Sequence, residues 1–333
     1  MPELAGISMI GSYRPERVVT TEELASDLGV DEEWIITRTG IRERRFANSR
    51  ETVTYMATAA AHSALKAVDM DAREIDVVIL TTSTFLAQTP AGAAIVAAEL
   101  GCHRPGAFDI SAGCAGYAHG IGQAAALVNS GQADNVLVIG SEKMSNNVEP
   151  GDRSVLPIFG DGAGAAIVNR SSAGHIRRTV WGSLGEYSDM IRQETSWEQF
   201  RANPDANSQP YVKMNGTEVF RWATTAVPEI VAEVAKAAGV TLAEIEVFVP
   251  HQANARIIDA VARRLGWDDG SVVVADDVRR TGNTSAAALP LAIDDLVLSG
   301  RATPGQLALQ VSFGAGLSYA GQVFELPPVA EAA

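Results

Sequence analysis

Short aliphatic runs and alanine-rich stretches alternate along this chain. Residues 77–80 (VVIL), 136–140 (VLVIG) and 307–313 (LALQVSF) are strongly apolar, as in strands that are buried on both faces. Alanine-rich stretches with helical character lie beside them, for example at residues 64–67 and 234–237. This alternation of strand and helix predicts parallel α/β units.

The chain also contains an internal repeat. Residues 64–80 (ALKAVDMDAREIDVVIL) resemble residues 234–250 (VAKAAGVTLAEIEVFVP) at an offset of 170. A second pair, LVNSG at residues 127–131 and LVLSG at residues 296–300, has an offset of 169. Short aliphatic repeats also arise by chance, but two matches at nearly one offset favour a true duplication.

The duplication predicts where polar residues meet. The offset of 169 superposes Asn283 on Cys114, and the offset of 170 puts His251 at the end of a second-half strand. Open α/β sheets bind ligands at the carboxyl ends of their strands. We therefore predict a pocket between two similar halves, which we assign to residues 1–170 and 171–333.

Composition and charge narrow the classes of function. The 333 residues carry 26 basic and 40 acidic side chains, and this net charge of −14 disfavours binding to nucleic acid or anionic lipid. We find no run of about 18 apolar residues and no signal-peptide pattern, which predicts a cytoplasmic protein with no membrane contact. The two cysteines, Cys102 and Cys114, are too few for a disulfide framework or a zinc site, so we expect no metal.

Cys114 is a candidate nucleophile. It lies in AFDISAGCAGYAHGIGQAAALV, which predicts a buried strand, a tight turn with Gly113 and Gly116, and an apolar helix that begins just after the cysteine. A thiol at a helix N-terminus faces unpaired N–H groups, so we expect a lowered pKa and a thiolate near neutral pH. The alternative is a small buried hydrophobic residue, which is how most free cysteines behave.

His251 and Asn283 are each weak candidates when taken singly. His251 directly follows a predicted strand in EVFVPHQANARIID, but a histidine at such a place is often structural. Asn283, in RRTGNTSAAALPLAI, could be a turn residue or a helix cap. Together with Cys114, however, they form a set suited to acyl transfer, with two side-chain donors that can stabilise negative charge.

At this point the sequence resembles the β-ketoacyl-[acyl-carrier-protein] synthase III family, the initiating condensing enzymes of the thiolase superfamily. The motifs that carry the resemblance span most of the chain and are DEEWIITRTGIRERR, SAGCAG, FGDGAGAA, VPHQANARII, TGNTSAA and FGAGLSY. The resemblance implies an α/β thiolase-like fold in which two duplicated halves are related by a pseudo-twofold axis. The implied layers are helix, sheet, helix, sheet and helix.

The resemblance also implies a reaction. Cys114 would take an acyl group from acyl-CoA, and His251 and Asn283 would polarise the carbonyl group of malonyl-acyl carrier protein for decarboxylative condensation. The backbone N–H groups of Cys114 and Ala315 would form the oxyanion hole. Ala315 departs from the glycine that is common in the family, although a backbone donor survives that change. Coenzyme A thioester would be a substrate, and no cofactor would be permanently bound.

Further residues match the family's binding surfaces. Those implied to line a coenzyme A tunnel are Trp34, Arg38, Arg153, Gly216, Phe220, Ala253, Asn254 and Ile257. Trp34 and Arg153 would sandwich the adenine, whereas Phe220 and Ile257 could equally be helix-packing residues. Those implied to dock the acidic carrier protein are Arg221, Arg256, Arg263 and Arg264. Arg263 and Arg264 could equally form a solvated helix face.

Thr89 bears on the choice of primer. Family members that select acetyl groups tend to have phenylalanine before the proline of a dimer-facing loop, where this chain has Thr89 before Pro90. We therefore expect a wider acyl channel that takes branched or medium-to-long primers. A homodimer is also implied by the resemblance.

Rival functions remain within the same fold. An acyltransferase of secondary metabolism would use acyl-Cys without condensation, but such relatives commonly alter the asparagine that TGNTSAA retains. Thiolases have a second catalytic cysteine near the C-terminus, and hydroxymethylglutaryl-CoA synthases have an added acidic catalyst, neither of which has a counterpart here. A non-catalytic partner subunit usually lacks the nucleophile. The sequence therefore favours condensation.

Overall fold

The structure is a computed structural model that describes residues 4–171, 175–205 and 209–331. Its strands in this part of the chain are β1 (Leu4–Tyr13), β2 (Val18–Thr20), β3 (Glu43–Arg45), β4 (Val77–Thr81), β5 (Gly106–Ile110), β6 (Asn135–Lys143), β7 (Asp161–Ser171), β8 (Val180–Gly182), β9 (Ile191–Gln193), β10 (Val212–Met214), β11 (Val247–Pro250), β12 (Val273–Val274), β13 (Leu307–Phe313) and β14 (Tyr319–Glu325). Its α-helices are α1 (Thr21–Leu28), α2 (Glu32–Thr39), α3 (Val53–Ala67), α4 (Gly92–Leu100), α5 (Gly116–Asn129), α6 (Trp197–Ala202), α7 (Gly216–Ala238), α8 (Ala255–Leu265), α9 (Val278–Thr281) and α10 (Ala288–Leu298).

Two five-stranded sheets repeat one topology. The first has the order β1-β7-β6-β4-β5, and the second, from its opposite end, has the matching order β8-β14-β13-β11-β12. In each sheet the strands that correspond to β6, β4 and β5 are parallel, as predicted. The remaining two strands of each sheet are antiparallel to their neighbours, so the parallel units occupy one side of each sheet.

Helices separate and cover the two sheets. The central layer is formed by α5 and α10, where Ile121 and Ile293 share one buried cluster with strand residues of both sheets. The outer face of the first sheet is covered by α3 and α4, and that of the second by α7 and α8. In β6, Val138 belongs to the central cluster and Leu137 to the outer one, as expected for a strand buried on both faces. This confirms the predicted duplicated fold of five layers.

The repeated sequence segments form the same local structure. In the first half, Asp71 and Glu74 form a reciprocal capping box around a single 3-10 turn that leads into β4. In the second half, Thr241 and Glu244 form the corresponding capping box before β11. Each box satisfies backbone N–H groups at the start of the turn and so fixes how the chain enters the strand.

A buried arginine connects the N-terminal segment to the loop that carries Asn283. Arg44, in β3, is fully buried, and its guanidinium group donates to the Thr21 hydroxyl at 3.0 Å and to the Pro157 carbonyl oxygen at 3.0 Å. A Cβ atom at Gly282 would lie 3.3 Å from the Arg44 Cβ atom. The hydrogen bonds join β2 and α1 to the segment at Pro157, and Gly282, just before Asn283, packs against the buried arginine.

The division after residue 170 stays a prediction. That position lies within the last residues of β7, and the central cluster contains residues from both proposed halves. In the described residues no helix combines the length and the apolar character needed to cross a membrane.

The first sheet meets the loop after Asn283 at a glycine. A Cβ atom at Gly140, in β6, would lie 2.3 Å from the carbonyl oxygen of Ala286. Any side chain here would push the 3-10 turn Ser285–Ala287 away from the sheet.

We expect Gly140→Ala to lower the free energy of unfolding by about 1–3 kcal/mol, because the added methyl group overpacks this contact. Chemical denaturation followed by circular dichroism measures the change. Gly185→Ala is the matched control, since a Cβ atom at Gly185 would meet nothing within 4 Å. Equal stability of the two variants would contradict the close approach.

Candidate active site

Cys114 lies at the start of the central layer. It is in the 3-10 turn Gly113–Ala115, which follows β5 and leads directly into α5. Gly113 has a φ of 52°, a left-handed conformation that glycine adopts readily. The N-cap residue of α5 is Ala115, whose side chain makes no capping hydrogen bond, so it leaves the first N–H groups of the helix unused. The predicted turn and helix around the cysteine are present, but the prediction of a buried strand is wrong, because β5 is an edge strand with no buried residue.

His251 and Asn283 come from the second half. His251 follows β11, and its backbone N–H donates to the carbonyl oxygen of Val311 in β13 at 2.7 Å. Asn283 follows α9, and its backbone N–H donates to the carbonyl oxygen of Ile158 at 2.8 Å. Both backbones are therefore fixed by neighbouring segments.

One cavity of about 550 Å³ brings the three candidates together, because Cys114, His251 and Asn283 all line it. Every residue assigned to the coenzyme A tunnel also lines it: Trp34, Arg38, Arg153, Gly216, Phe220, Ala253, Asn254 and Ile257. Of the four arginines assigned to carrier-protein docking, Arg256 lines the cavity. The pocket predicted from the duplication is thus present, and it contains residues from both halves.

Other predicted residues lie outside the cavity lining. Arg221, Arg263 and Arg264 are exposed beyond it. Thr89 lies on an exposed loop, so within one chain it does not reach the cavity. Its assignment to an acyl channel stays a prediction that requires a second copy of the chain.

The backbone next to Cys114 forms a candidate oxyanion site. A Cβ atom at Gly314 would lie 2.6 Å from the Cys114 nitrogen, and one at Gly113 would lie 3.3 Å from the Ala315 nitrogen. Among the described residues, neither the Cys114 N–H nor the Ala315 N–H donates to a carbonyl oxygen. These two N–H groups are therefore close together, although Ala315 is not among the residues that line the cavity.

The pKa of Cys114 moves against the sequence prediction. Burial raises the pKa of this thiol to about 11, a side-chain hydrogen bond with Ser285 acts in the opposite direction, and the charge of Glu142 raises the pKa further. The expectation of a thiolate near neutral pH is therefore wrong for this unacylated state. The helix start was visible in the sequence, but the enclosure of the thiol and the nearby carboxylate were not.

His251 is neutral in this environment. It is 2% exposed, and burial lowers the pKa of its imidazole to about 3. The edge of the ring contacts Phe313, with centroids 5.3 Å apart. Its Nδ1 atom is buried with no hydrogen-bond partner in the described part of the chain, which leaves Nε2 as the ring nitrogen available to the cavity.

The carboxamide of Asn283 is held by the residue two positions later. The backbone N–H of Ser285 donates to Asn283 Oδ1 at 2.8 Å. Within the described residues no hydrogen bond uses Asn283 Nδ2, so this group is free to donate to a ligand. The cavity therefore offers an imidazole and a carboxamide donor opposite a thiol.

Some tunnel residues also have structural roles. The Arg38 guanidinium stacks over the Trp34 ring at 4.4 Å. Arg153, which is predicted to sandwich the adenine together with Trp34, lines the same cavity. Asn254 caps α8 by accepting the Arg256 N–H at 2.8 Å, and its Nδ2 donates to the Arg38 carbonyl oxygen at 3.1 Å. Both polar groups of Asn254 are thus already used within the protein.

Sequence reasoning missed several residues of the site. Phe313 packs on His251, and the Ser312 hydroxyl donates to the Cys114 carbonyl oxygen at 2.7 Å. Glu142 and Ser285 lie beside the thiol. A glutamate at the end of the aliphatic run that forms β6 was the available signal for Glu142, because charged residues are seldom buried without a reason.

The fold and the site together define a class of protein. A duplicated, five-layered α/β fold contains a cysteine at the start of a central helix, and the other half contributes a histidine and an asparagine. This is the arrangement of a thiolase-fold condensing enzyme that transfers acyl groups. Within the described residues, no group of three His, Cys, Asp or Glu side chains is placed to hold a metal ion.

Comparison with known proteins gives the family. Models of 3-oxoacyl-[acyl-carrier-protein] synthase III and of its C-terminal region match residues 108–185 and 235–326. A β-ketoacyl-[acyl-carrier-protein] synthase III of Mycobacteroides abscessus is 47% identical over 97% of this chain and 95% of its own length. The chain therefore belongs to the β-ketoacyl-[acyl-carrier-protein] synthase III family, which confirms the resemblance found in the sequence.

Solved structures agree with this assignment. The priming β-ketosynthase from the R1128 polyketide biosynthetic pathway superposes with a TM-score of 0.94 and 43% identity, covering 98% of this chain and 97% of that one. The 3-oxoacyl-[acyl-carrier-protein] synthase III of Aquifex aeolicus superposes with a TM-score of 0.88 and 37% identity, covering 96% and 99%. The thiolase-like fold is thus confirmed.

The neutral state of His251 predicts a pH dependence of stability. Its pKa is about 3 when folded, below the ordinary 6.5, so the unfolded chain binds the proton first as the pH falls. Unfolding should therefore become easier below about pH 6.5, by up to about 1.4 kcal/mol per pH unit from this group. Urea denaturation at pH 7, 6 and 5 gives the free energy of unfolding at each pH, and this free energy should fall less steeply with pH for His251→Gln than for the unmodified protein. An equal fall with pH in the two proteins would contradict a neutral, buried His251.

Proposed function

We propose that this chain catalyses decarboxylative Claisen condensation of an acyl-CoA primer with malonyl-acyl carrier protein, which initiates the synthesis of a fatty acid or related polyketide. The observation that carries the proposal is the shared cavity lining of Cys114, His251 and Asn283. The residues matched to coenzyme A binding line the same cavity, which supports an acyl-CoA substrate. The reaction as proposed needs no resident cofactor.

In the first half-reaction, the sulfur atom of Cys114 attacks the carbonyl carbon of the acyl-CoA. The N–H groups of Cys114 and Ala315 stabilise the negative charge that develops on the carbonyl oxygen. The bond to the coenzyme A sulfur then breaks, and coenzyme A leaves as a thiol. Burial favours the protonated form of Cys114, and the proton that its thiol gives up ends on the sulfur of the departing coenzyme A.

In the second half-reaction, malonyl-acyl carrier protein replaces coenzyme A. His251 Nε2 and Asn283 Nδ2 donate to its thioester carbonyl oxygen, so that loss of carbon dioxide leaves a stabilised enolate. The enolate attacks the acyl carbon on Cys114, and the bond to sulfur breaks. A neutral histidine suits this role because it donates a hydrogen bond without a permanent charge in the cavity.

The outer end of the cavity has the groups that coenzyme A requires. Arg38, Arg153 and Arg256 line it and are exposed, so they can meet phosphate groups while their charges remain solvated. We propose that the adenine lies between Trp34 and Arg153. Ile257 is buried in the second outer cluster and Phe220 packs against it, so these two serve core packing as well as the tunnel wall.

The carrier protein would dock at an exposed arginine surface beside the cavity. Arg221, Arg256, Arg263 and Arg264 are all exposed on α7 and α8. Such a local basic surface allows an acidic partner to bind a chain with a net charge of −14. Arg263 lies 3.6 Å from Asp268, so this arginine offers less free charge than the others.

We expect a cytoplasmic homodimer. The strand β5 forms one edge of the first sheet, and Phe108 on that strand is 38% exposed. Leu86, on the loop that contains Thr89, is 53% exposed. An uncovered apolar strand edge favours pairing with a second copy, and this would also let Thr89 approach the cavity of the partner.

Acylation of the cysteine is tested directly by intact mass. We expect the protein to gain one acyl group on incubation with an acyl-CoA and to form β-ketoacyl-carrier protein once malonyl-carrier protein is added. Cys114→Ala should gain no adduct and turn over at least about 1,000-fold more slowly. Cys102→Ala is the matched control and should retain the adduct. Acyl transfer to another acceptor without a β-ketoacyl product would favour the non-condensing acyltransferase.

The size of the acyl channel is tested at Thr89. We expect kcat/KM to be higher for branched or medium-to-long acyl-CoAs than for acetyl-CoA. Thr89→Phe should lower the ratio of kcat/KM for these longer acyl-CoAs to that for acetyl-CoA by about tenfold, because the larger ring shortens the channel. Gln88→Phe puts the same ring on the neighbouring exposed position and should leave the preference unchanged. A strong preference of the unmodified protein for acetyl-CoA would refute the proposal.

A further inference from the structure

Glu142 is a fully buried carboxylate at the end of β6, close to the candidate nucleophile. Its oxygens accept hydrogen bonds from the side chains and backbone of Thr82, Ser83 and Thr84 at the end of β4. A further bond comes from the second half of the molecule, where the Ser285 hydroxyl donates to Oε1 at 2.9 Å. These donors are all neutral groups.

No cation neutralises this carboxylate within the described residues. The neighbouring Lys143 directs its ammonium group to the carbonyl oxygens of Asn48 and Glu51 instead. An uncompensated buried charge is costly even when it is hydrogen-bonded. Glu142 therefore introduces a negative charge beside the cavity that the fold alone does not require.

Ser285 joins this carboxylate to the site. Its backbone N–H holds Asn283 Oδ1 at 2.8 Å, and its hydroxyl group lowers the pKa of the Cys114 thiol. Ser285 has a backbone φ of 52°, which is unfavourable for any residue other than glycine. Such a conformation persists only where the surrounding structure enforces it. The turn that contains Ser285 also packs directly against the turn that contains Cys114.

A serine hydroxyl has a single proton, so two acceptors near Ser285 would compete for it. One is the carboxylate of Glu142, and the other is the sulfur of Cys114 when it loses its proton. Hydrogen bonds to a carboxylate are charge-assisted and strong, so Glu142 holds the proton in the resting state. The sulfur is thereby denied a donor that would stabilise it as a thiolate.

We propose that Glu142 is a positioning residue that competes with Cys114 for the hydroxyl proton of Ser285 and so keeps the resting nucleophile as a thiol. The inference rests on the proposed role of Cys114 as the nucleophile. An acylated sulfur carries no charge, so the same arrangement favours the acyl-enzyme over the free thiolate. It also protects the empty enzyme from unrelated electrophiles.

Other charged or titratable groups face the same cavity. His251 lines it but is kept neutral by burial. Arg38, Arg153 and Arg256 line it and are exposed to solvent, which screens their charges. In contrast to these groups, Glu142 has a charge that raises the pKa of the Cys114 thiol.

The test is the rate of alkylation of Cys114 by iodoacetamide between pH 7 and pH 10, with the site of modification located by mass spectrometry. We expect Glu142→Gln to be alkylated about tenfold faster than the unmodified protein at pH 8, because the competing charge is removed. We expect Ser285→Ala to be alkylated about fivefold more slowly, because the thiolate loses its hydroxyl donor.

Ser83→Ala is the matched control. Its hydroxyl donates to the same Glu142 oxygen as that of Ser285, also at 2.9 Å, but it has no contact with Cys114 among the described residues. We expect its alkylation profile to match that of the unmodified protein. General loosening of the fold would instead expose the thiol and speed alkylation in every variant.

The proposal requires that Glu142→Gln be alkylated faster, and Ser285→Ala more slowly, than the unmodified protein. Unchanged or slower alkylation of Glu142→Gln, or equal behaviour of Ser285→Ala and Ser83→Ala, would overturn the proposal. If thermal melting shows that Glu142→Gln does not fold, the comparison of the two serine variants decides it. Alkylation needs no carrier protein and no turnover, so this result is independent of whether the chain condenses acyl groups.

Discussion

The close packing of the two central helices between the sheets determines where the chemistry occurs. A Cβ atom at Gly120, in α5, would lie 2.8 Å from a methyl group of Val138. At the helix start, the backbone at Gly314 leaves no room for a side chain beside Cys114. Since each half covers a face of the other's central helix, a thiol at the start of α5 necessarily faces the second half. Folding and assembly of the site are thus the same event.

Burial also sets the chemical character of the site. It favours the neutral forms of both Cys114 and His251. Hydrogen-bond donors at fixed positions, rather than full charges, are then available to meet the charge that develops during reaction. A site of this kind differs from a thiolate–imidazolium pair, in which both groups are charged before the substrate arrives.

The sequence predicted the repeated architecture from local patterns, and most of the cavity lining from the resemblance to a known family. The paired segments ending in β4 and β11, and the strand-to-helix turn at Cys114, could be recognised directly, whereas Asn283, predicted at a strand-to-helix junction, follows the short helix α9. The pKa of Cys114 could not be predicted, because it depends on enclosure by distant segments and on Glu142. The acyl-channel role of Thr89 stays a prediction, because it would depend on contacts outside a single chain.

The buried guanidinium of Arg44 has an electrostatic consequence for the cavity. Burial lowers its pKa to about 10, so it remains charged at neutral pH, and its hydrogen-bond acceptors are uncharged oxygens. The low polarisability of the interior lets this field extend further than it would in water. The loop that carries Asn283 therefore has a buried cation behind it, held by neutral oxygens, where an apolar side chain would be usual.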